Sequence, residues 1–382
     1  MVAVCLPFAK ILLFKKRIIY SQICFKDYLF IVRQKMKNIV LICDIDLKKG
    51  SSFLDFLIQL PDSNKHFILF ARSISDDAYS VLKSKNYTYS AFANSAQLFA
   101  LLLRYRPHLI HFHFYGIGHL YTFIARIFCS KIVLTMHNSP PKHVEITGWR
   151  RWKQWVLGMP ITRLCAISPF IQRWLEAFMP SEKIVLINNG INLSRFNYKK
   201  LPPITNKLRC FYIGSLSAEK GIHYLLDLFS QPELATIAQL DIYGDGELSE
   251  QVKLTAYREN SIYYHGRSAK IEQDLQHAHI VLMPSCWQEA FGYVAVEAMA
   301  VGRPVIAEPI GGLAEIFTDK QQGWYVCFEQ RDQVQKLLQF LYSQNKLLEC
   351  VGLAARRKVE QKYDIAIQIA QNHALYSSLI GQ

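Results

Sequence analysis

The sequence lacks several features, and each absence removes a class of protein. No uninterrupted apolar run reaches the roughly 18 residues that a bilayer-spanning helix needs, although 51% of the chain is hydrophobic and can fill ordinary cores. The nine cysteines are scattered and never fall in C-x-x-C spacing. That argues against a zinc ribbon or a disulfide framework and for reduced thiols in a cytoplasmic protein. His111 and His113 lie two apart in one strand-like run with no further ligands at metal spacing, so no metal is expected. There is no internal repeat and no low-complexity tract. Acids are scarce: 30 Asp and Glu stand against 44 Lys and Arg, a net charge of +14. Such an excess calls for an anionic partner: nucleic acid, an acidic membrane face or a phosphorylated ligand. No nucleic-acid module is recognisable and the charge is dispersed, so nucleic acid is not the expected one.

A length of 382 residues suggests two domains. From Met36 onward, short apolar runs alternate with helical patterns. The runs are Ile39–Cys43, His66–Ala71, Leu109–Phe114, Lys131–Met136, Arg163–Ile167 and Lys183–Ile187. Residues 197–209 carry Pro-Pro and charge without periodicity, as a linker does. A second series follows: Cys210–Ile213, Leu240–Tyr243, Ile262–Tyr264, Ile280–Met283 and Pro304–Ala307. Runs that do not alternate polar and apolar residues, spaced by helices, predict parallel sheets covered on both faces. The expected architecture is α/β: two tandem Rossmann-like, doubly wound domains facing each other across a cleft, with ligand at the carboxyl ends of the strands. The expected division is 36–200 for the first domain, 201–360 for the second and 361–382 for a C-terminal helix. Residues 1–35 carry seven lysines and arginines against Asp27 alone. They read as a non-native extension before a chain start at Met36, as a membrane-surface segment, or in outline as a secretory signal.

One stretch organises the rest. It runs from Pro284 to Pro304, beginning where the buried strand-like run His279–Met283 ends: a polar loop, a helical run from Phe291 to Val301, then Gly302 and Pro304 as stop signals. Glu289 lies in the loop and Glu297 in the helix. Carboxylates only accept hydrogen bonds, which suits them to sugar diols. Upstream, Ile213-Gly-Ser-Leu-Ser-Ala-Glu-Lys-Gly-Ile222 joins a strand to a helix. Gly214 allows close backbone approach there, and Lys220 adds a cation where the helix dipole already favours anions.

Glu289-Ala-Phe-Gly-Tyr-Val-Ala-Val-Glu297 resembles the E-x7-E signature of the retaining glycosyltransferases of family four, the group 1 transferases. Gly302-Arg-Pro-Val-Ile306 and Gly311-Gly-Leu-Ala-Glu315 follow in the order of that family. The resemblance is fullest from Asn188 to Val326. It implies the GT-B architecture and a metal-free, cofactor-free transfer of sugar from a UDP- or GDP-linked donor to a saccharide or lipid-linked acceptor hydroxyl. Surface polysaccharide or lipopolysaccharide synthesis on the inner face of the cell membrane is the implied setting. It further implies that Glu297 holds the ribose, that Glu289 binds the transferred sugar, and that the backbone at Phe291 and Gly292 meets sugar or phosphate. Gly50, Gly214, Ser215 and Lys220 would surround the diphosphate, with Arg267 near the base and His137 facing the reaction centre. Glu289, His137 and Lys220 are the implied catalytic set, and the last helix, from Tyr363, would cross back onto the first domain.

The sequence departs from the family pattern at Ser215, where an arginine is expected, and at Gly50, where a glycine pair is usual. Arg267 or Arg303 could replace the missing cation. These departures leave open a relative that no longer binds donor, and sugar-nucleotide epimerases and phosphorylases share the architecture. Asp44-Ile-Asp46 matches the metal-binding D-x-D of the other glycosyltransferase fold but comes too early in the chain to serve it. Trp149, Trp152 and Trp155 recur on one side of a basic helical stretch. They predict a buried structural helix or an edge resting on anionic lipid.

Overall fold

The computed structural model describes residues 36–47, 50–140 and 148–381. Residues 1–35, expected to be an extension, a surface segment or a signal, lie outside the described residues.

Among the described residues thirteen strands build two sheets. β1 to β7 are Lys37–Leu47, Lys65–Ile74, Thr88–Ala91, Leu109–His113, Ile132–Met136, Arg163–Ala166 and Ile184–Leu186. β8 to β13 are Leu208–Ile213, Ala238–Tyr243, Ile262–Gly266, Ile280–Met283, Val305–Ala307 and Gly323–Tyr325. All pairings within both sheets are parallel. The orders are β3-β2-β1-β4-β5-β6-β7 and β10-β9-β8-β11-β12-β13. Both sheets therefore reverse direction beside their first strand, which opens a crevice at the carboxyl ends of the strands. The apolar runs are buried on both faces: Ile39 to Cys43 are fully inaccessible.

Right-handed crossovers sort the helices of the first domain. Helices Ser52–Gln59 and Asp76–Ser84 pack on one face of the sheet, in a core shared with Tyr376 of the C-terminal helix. Helices Ser95–Tyr105, Leu120–Phe128 and Pro169–Glu176 pack on the other. The C-terminal helix Ile365–Ile380 lies against helix Ser52–Gln59 and β4. Ile191 N–H donates to the Tyr363 carbonyl at 2.7 Å, and Lys37 Nζ donates to the Ile380 carbonyl at 2.6 Å.

β3 and β13 were not legible in the sequence. Both are short edge strands, and β3 is half-exposed with no apolar run to mark it. Two expectations are corrected, those for the tryptophan helix and for Arg303. Helix Gly148–Leu157 has no buried residue, so it is not a core helix. Asp44 pairs with Arg72 and Asp46 accepts from Ser73, which ties the acid pair to the neighbouring strand β2. Arg303 is fully buried and its guanidinium donates only to backbone carbonyls, among them Leu275, Lys199 and Gln276 at 3.1, 2.8 and 2.9 Å. It staples the linker to the second domain and cannot stand in for a phosphate ligand at Ser215.

Candidate functional site

Two turns of the second domain meet at the carboxyl ends of its strands. After β8, Gly214 and Ser215 lead into a tight 3-10 turn, Ala218–Lys220, and then helix Ile222–Phe229. Gly221 carries φ +70° between them, and a Cβ there would collide with the Pro284 carbonyl oxygen. Only glycine lets this turn settle against the end of β11. The contact brings Lys220 beside the loop after β11, where its Nζ donates to Glu289 Oε1 at 2.6 Å. Ser285 Oγ donates to the same oxygen at 2.8 Å. Gly312 N–H donates to the Glu289 carbonyl at 2.6 Å, and a Cβ on Gly311 would lie 2.6 Å from that carbonyl oxygen. The Gly-Gly turn therefore fixes the backbone that carries Glu289.

The helix begins at Tyr293 rather than Phe291, because Gly292 adopts φ +103° at its N-cap. Glu297 faces the cleft one turn in, where Ser52 Oγ donates to its Oε1 at 3.2 Å. Burial pushes the Glu297 carboxyl up to about 7, while the charge of Arg195 and the Ser52 hydroxyl act in the opposite direction.

The first domain supplies the opposing wall. Gly50, at φ +85°, precedes Ser51, whose Oγ caps helix Ser52–Gln59 by accepting from Leu54 N–H at 3.1 Å. The start of that helix meets the second domain across the cleft, where Ser52 reaches Glu297. Beyond the end of β5, His137 stacks on Phe114 with ring centroids 4.1 Å apart. Phe114 itself is held at φ +67°, a strained setting for a side chain of that size. Behind His137 lies a buried row of imidazoles. His113 Nδ1 is 3.1 Å from His137 Nε2. His111 is 2.7 Å from both the Tyr376 hydroxyl and the Thr135 hydroxyl. Burial lowers His137 to about 3, His111 to about 3 and His113 well below the usual imidazole value, so all three are neutral near pH 7.

One cavity of about 650 Å³ unites Gly50, His137, Gly214, Ser215, Lys220 and Glu289. Phe291, Gly292 and Glu297 line it as well. Arg267 does not belong with them. Its side chain is 76% exposed and sits 3.4 Å from Asp245, outside this cavity.

Sequence reasoning missed Ser52, Phe114, Asn189 and Tyr293, all of which line the cavity. A Gly-Ser-Ser run after a strand is a helix-start signal and could have flagged Ser52; the other three carry no local signal. It also missed two clamps between the domains. Arg195 Nη1 donates to the Gly50 carbonyl at 2.6 Å and to Asp55 at 3.2 Å, while Nη2 reaches Glu272 at 3.3 Å. Glu315 of the second domain accepts from Phe170 N–H at 2.8 Å at the start of helix Pro169–Glu176 and also pairs with Arg173. Among the described residues, no group of three or more His, Cys, Asp or Glu is arranged to hold a metal ion.

The arrangement can hold a ligand with an anionic middle and hydroxyl-bearing ends. Residues 194–358 match the family described as Glycosyl transferases group 1, and residues 64–195 match Glycosyltransferase Family 4. An uncharacterized glycosyltransferase of Methanocaldococcus jannaschii is 26% identical over 222 residues, covering 53% of this chain and 57% of that protein. The lipopolysaccharide 1,2-N-acetylglucosaminetransferase of Salmonella typhimurium is 30% identical over 180 residues, covering 42% of this chain and 47% of that one. The matched region thus spans about half the length of these relatives. The structure of Anabaena HepE in complex with UDP superposes with a TM-score of 0.72 at 20% identity, covering 90% of this chain and all of the other, which shows a shared fold.

Proposed function

This chain belongs to the group 1 glycosyltransferases of GT-B architecture, and we propose that it transfers a sugar from a nucleotide diphosphate donor to an acceptor hydroxyl with retention of anomeric configuration. The observation that carries the proposal is the meeting of Lys220, Glu289 and Glu297 on one wall of a cavity with His137 on the other. The relatives include a lipopolysaccharide 1,2-N-acetylglucosaminetransferase and a glycosyltransferase of amylovoran biosynthesis, and HepE was solved with UDP and with UDP-glucose. They favour a UDP-linked donor and a saccharide or lipid-linked acceptor of a surface polysaccharide.

In this mechanism the donor diphosphate lies between Lys220, the backbone at Gly214–Ser215 and the amides at the start of helix Ser52–Gln59. Lys220 has three N–H donors; one holds Glu289 and two remain for phosphate oxygens. Glu297 takes the ribose diol. Glu289, fixed by Ser285 and Lys220, accepts from hydroxyls of the transferred sugar. The acceptor oxygen bonds to the anomeric carbon as the bond from that carbon to the diphosphate oxygen breaks. The acceptor proton passes to the departing diphosphate, so no enzymatic nucleophile is needed. Neutral His137, with Nε2 engaged by His113, offers Nδ1 to a sugar hydroxyl. The protein contributes orientation and electrostatic stabilisation of the leaving group, and the interdomain clamps keep water from the donor.

The test is a thermal-shift screen of nucleotide sugars followed by product analysis. A UDP-sugar should raise the melting temperature, and NMR of the product should show a glycoside with the anomeric configuration of the donor. An inverted glycoside, or an epimerised donor without transfer, would overturn the assignment.

A further inference from the structure

Large apolar side chains are exposed unevenly over this molecule. On the first domain they gather on consecutive helices of one face. Phe99 and Leu103 stand on helix Ser95–Tyr105 at i, i+4 spacing, 44% and 57% exposed. Leu120, Phe123 and Ile127 stand on helix Leu120–Phe128 at i, i+3, i+7, and Ile127 reaches 71%. The two helices touch through Phe99 and Phe128, 4.7 Å apart. Helix Gly148–Leu157 adds Trp149, Trp152 and Trp155, at 69%, 51% and 41%. In the second domain Leu254 and Tyr257 share helix Ser249–Arg258, while Tyr263, Phe340 and Leu353 stand singly on separate elements, which is ordinary for a protein surface. A gathered apolar surface is not ordinary and marks an interaction site.

The charge on the same segment identifies the partner. Between Ser95 and Leu157, the stretch that carries these helices, the sequence holds eight lysines and arginines and a single acid, Glu145. On a wheel of about 100° per residue the three tryptophans of helix Gly148–Leu157 share one arc. Lys153 flanks that arc on one side and Arg151 on the other. Trp149 and Trp152 are stacked at 4.5 Å. Arg151, Trp152 and Trp155 also wall a groove of about 600 Å³ with Phe178 and Met179. Tryptophan rings set among cations match the headgroup layer of a bilayer, where aromatic rings settle and cationic side chains reach phosphate.

We propose that this face of the first domain docks on an anionic lipid bilayer, with the three tryptophans in the headgroup layer and Arg151 and Lys153 on lipid phosphates. A second copy of the chain is a poorer occupant, because it would set two surfaces of the same charge against each other. Among the described residues no helix is long and apolar enough to cross a membrane, so the contact is superficial. Helices that follow parallel strands begin at the carboxyl ends of those strands, so Leu120 and Trp149 lie toward the cleft end of the domain. A membrane on this face would deliver a lipid-linked acceptor to the cleft mouth. Only that last consequence rests on the proposed glycosyl transfer; the docking itself does not.

The experiment is flotation of the full chain on phosphatidylcholine vesicles and on vesicles containing phosphatidylglycerol, with no donor or acceptor present. The protein should float with the anionic vesicles, and raised salt should weaken binding. Trp149→Ser/Trp152→Ser and Arg151→Glu/Lys153→Glu should each lose at least about tenfold in affinity. Because these side chains are exposed, melting temperature and UDP-sugar affinity should be unchanged, which separates failure of docking from failure of the enzymatic assignment. Absence of flotation, or equal flotation of the variants, would overturn the proposal. So would self-association without lipid that disappears in the tryptophan variant, since it would give the face to a second copy.

Discussion

Lys220 Nζ and Glu289 Oε1 lie 2.6 Å apart, so the cation assigned to the diphosphate and the acid assigned to the sugar are partners of each other. The pair spans the two turns at the ends of β8 and β11 and sets the distance between the charge proposed to steady the leaving group and the acceptor proposed to steady the sugar. Lys220→Ala should therefore lower kcat/KM for donor by about 100- to 1,000-fold, the usual loss for one preorganised charge donor. Glu289→Gln should lower kcat while the donor KM moves by no more than about threefold. Steady-state kinetics with the donor found by thermal shift gives both numbers. Equal and opposite behaviour, with Lys220 affecting only kcat and Glu289 only KM, would mean the roles are exchanged.

Glu297 gives a pH dependence of defined sign. Its carboxyl titrates near 7 because of burial, and only the ionised form accepts from both ribose hydroxyls. Donor affinity should rise with pH up to about 7 and then level off, losing up to about tenfold per unit below it. Calorimetric titration of UDP across this range checks the slope. In Glu297→Gln the slope should vanish and overall affinity should fall. A slope that persists in the variant would assign the titration to another group.

The imidazole row behind His137 should govern acid stability. His111, His113 and His137 have folded-state pKa values depressed below the ordinary 6.5. Above that value both folded and unfolded chains are neutral there, and no stability is lost. As pH falls below 6.5 the unfolded chain takes up protons that the folded one refuses. Stability should fall by up to about 1.4 kcal/mol per pH unit for each histidine. Urea titrations from pH 7 downward would show it, since the loss runs from the unfolded value of 6.5 toward the folded value of about 3 for His111 and His137. His111→Phe should flatten the dependence, and an unchanged profile in that variant would exclude His111 as a contributor.

Glu315 holds the domains together by taking the Phe170 amide and the Arg173 guanidinium. Glu315→Ala should cost about 1 kcal/mol of stability, the value of a lost helix-start acceptor. It should also raise the donor KM and lower kcat together, as expected when closure is loosened. Small-angle scattering should record a larger radius of gyration. A variant with the native radius and altered kinetics would show that Glu315 acts on ligand directly.

Arg303 should be the most sensitive of these positions to substitution, although it touches no ligand. Its removal leaves several buried carbonyls without a donor, at about 1–3 kcal/mol each. Arg303→Ala should lower the melting temperature sharply or prevent folding. Arg303→Lys should recover only part, because an ammonium cannot reach the planar set of acceptors. A fully stable alanine variant would contradict the staple role.

The division between what was legible in sequence and what was not follows from the range of the forces involved. Parallel strands show as unbroken apolar runs because both faces are buried, so the two sheets and their helices could be read along the chain. The second-domain wall was legible too: Lys220, Glu289 and Glu297 belong to strand-turn-helix units whose geometry is set by near neighbours and by glycines 221, 292, 311 and 312. The edge strands β3 and β13 were not legible, since a short, partly exposed strand is recruited by its neighbour and has no pattern of its own. Side-chain direction also lay beyond the sequence. Arginines 195, 267 and 303 look alike there, yet one clamps the domains, one lies exposed beside Asp245 and one is buried against the linker. Burial against distant segments, and the desolvation that comes with it, made that choice, as it set the neutral state of His137 and the raised carboxyl of Glu297. Those quantities depend on what the fold removes from water, and no local run of residues contains that information.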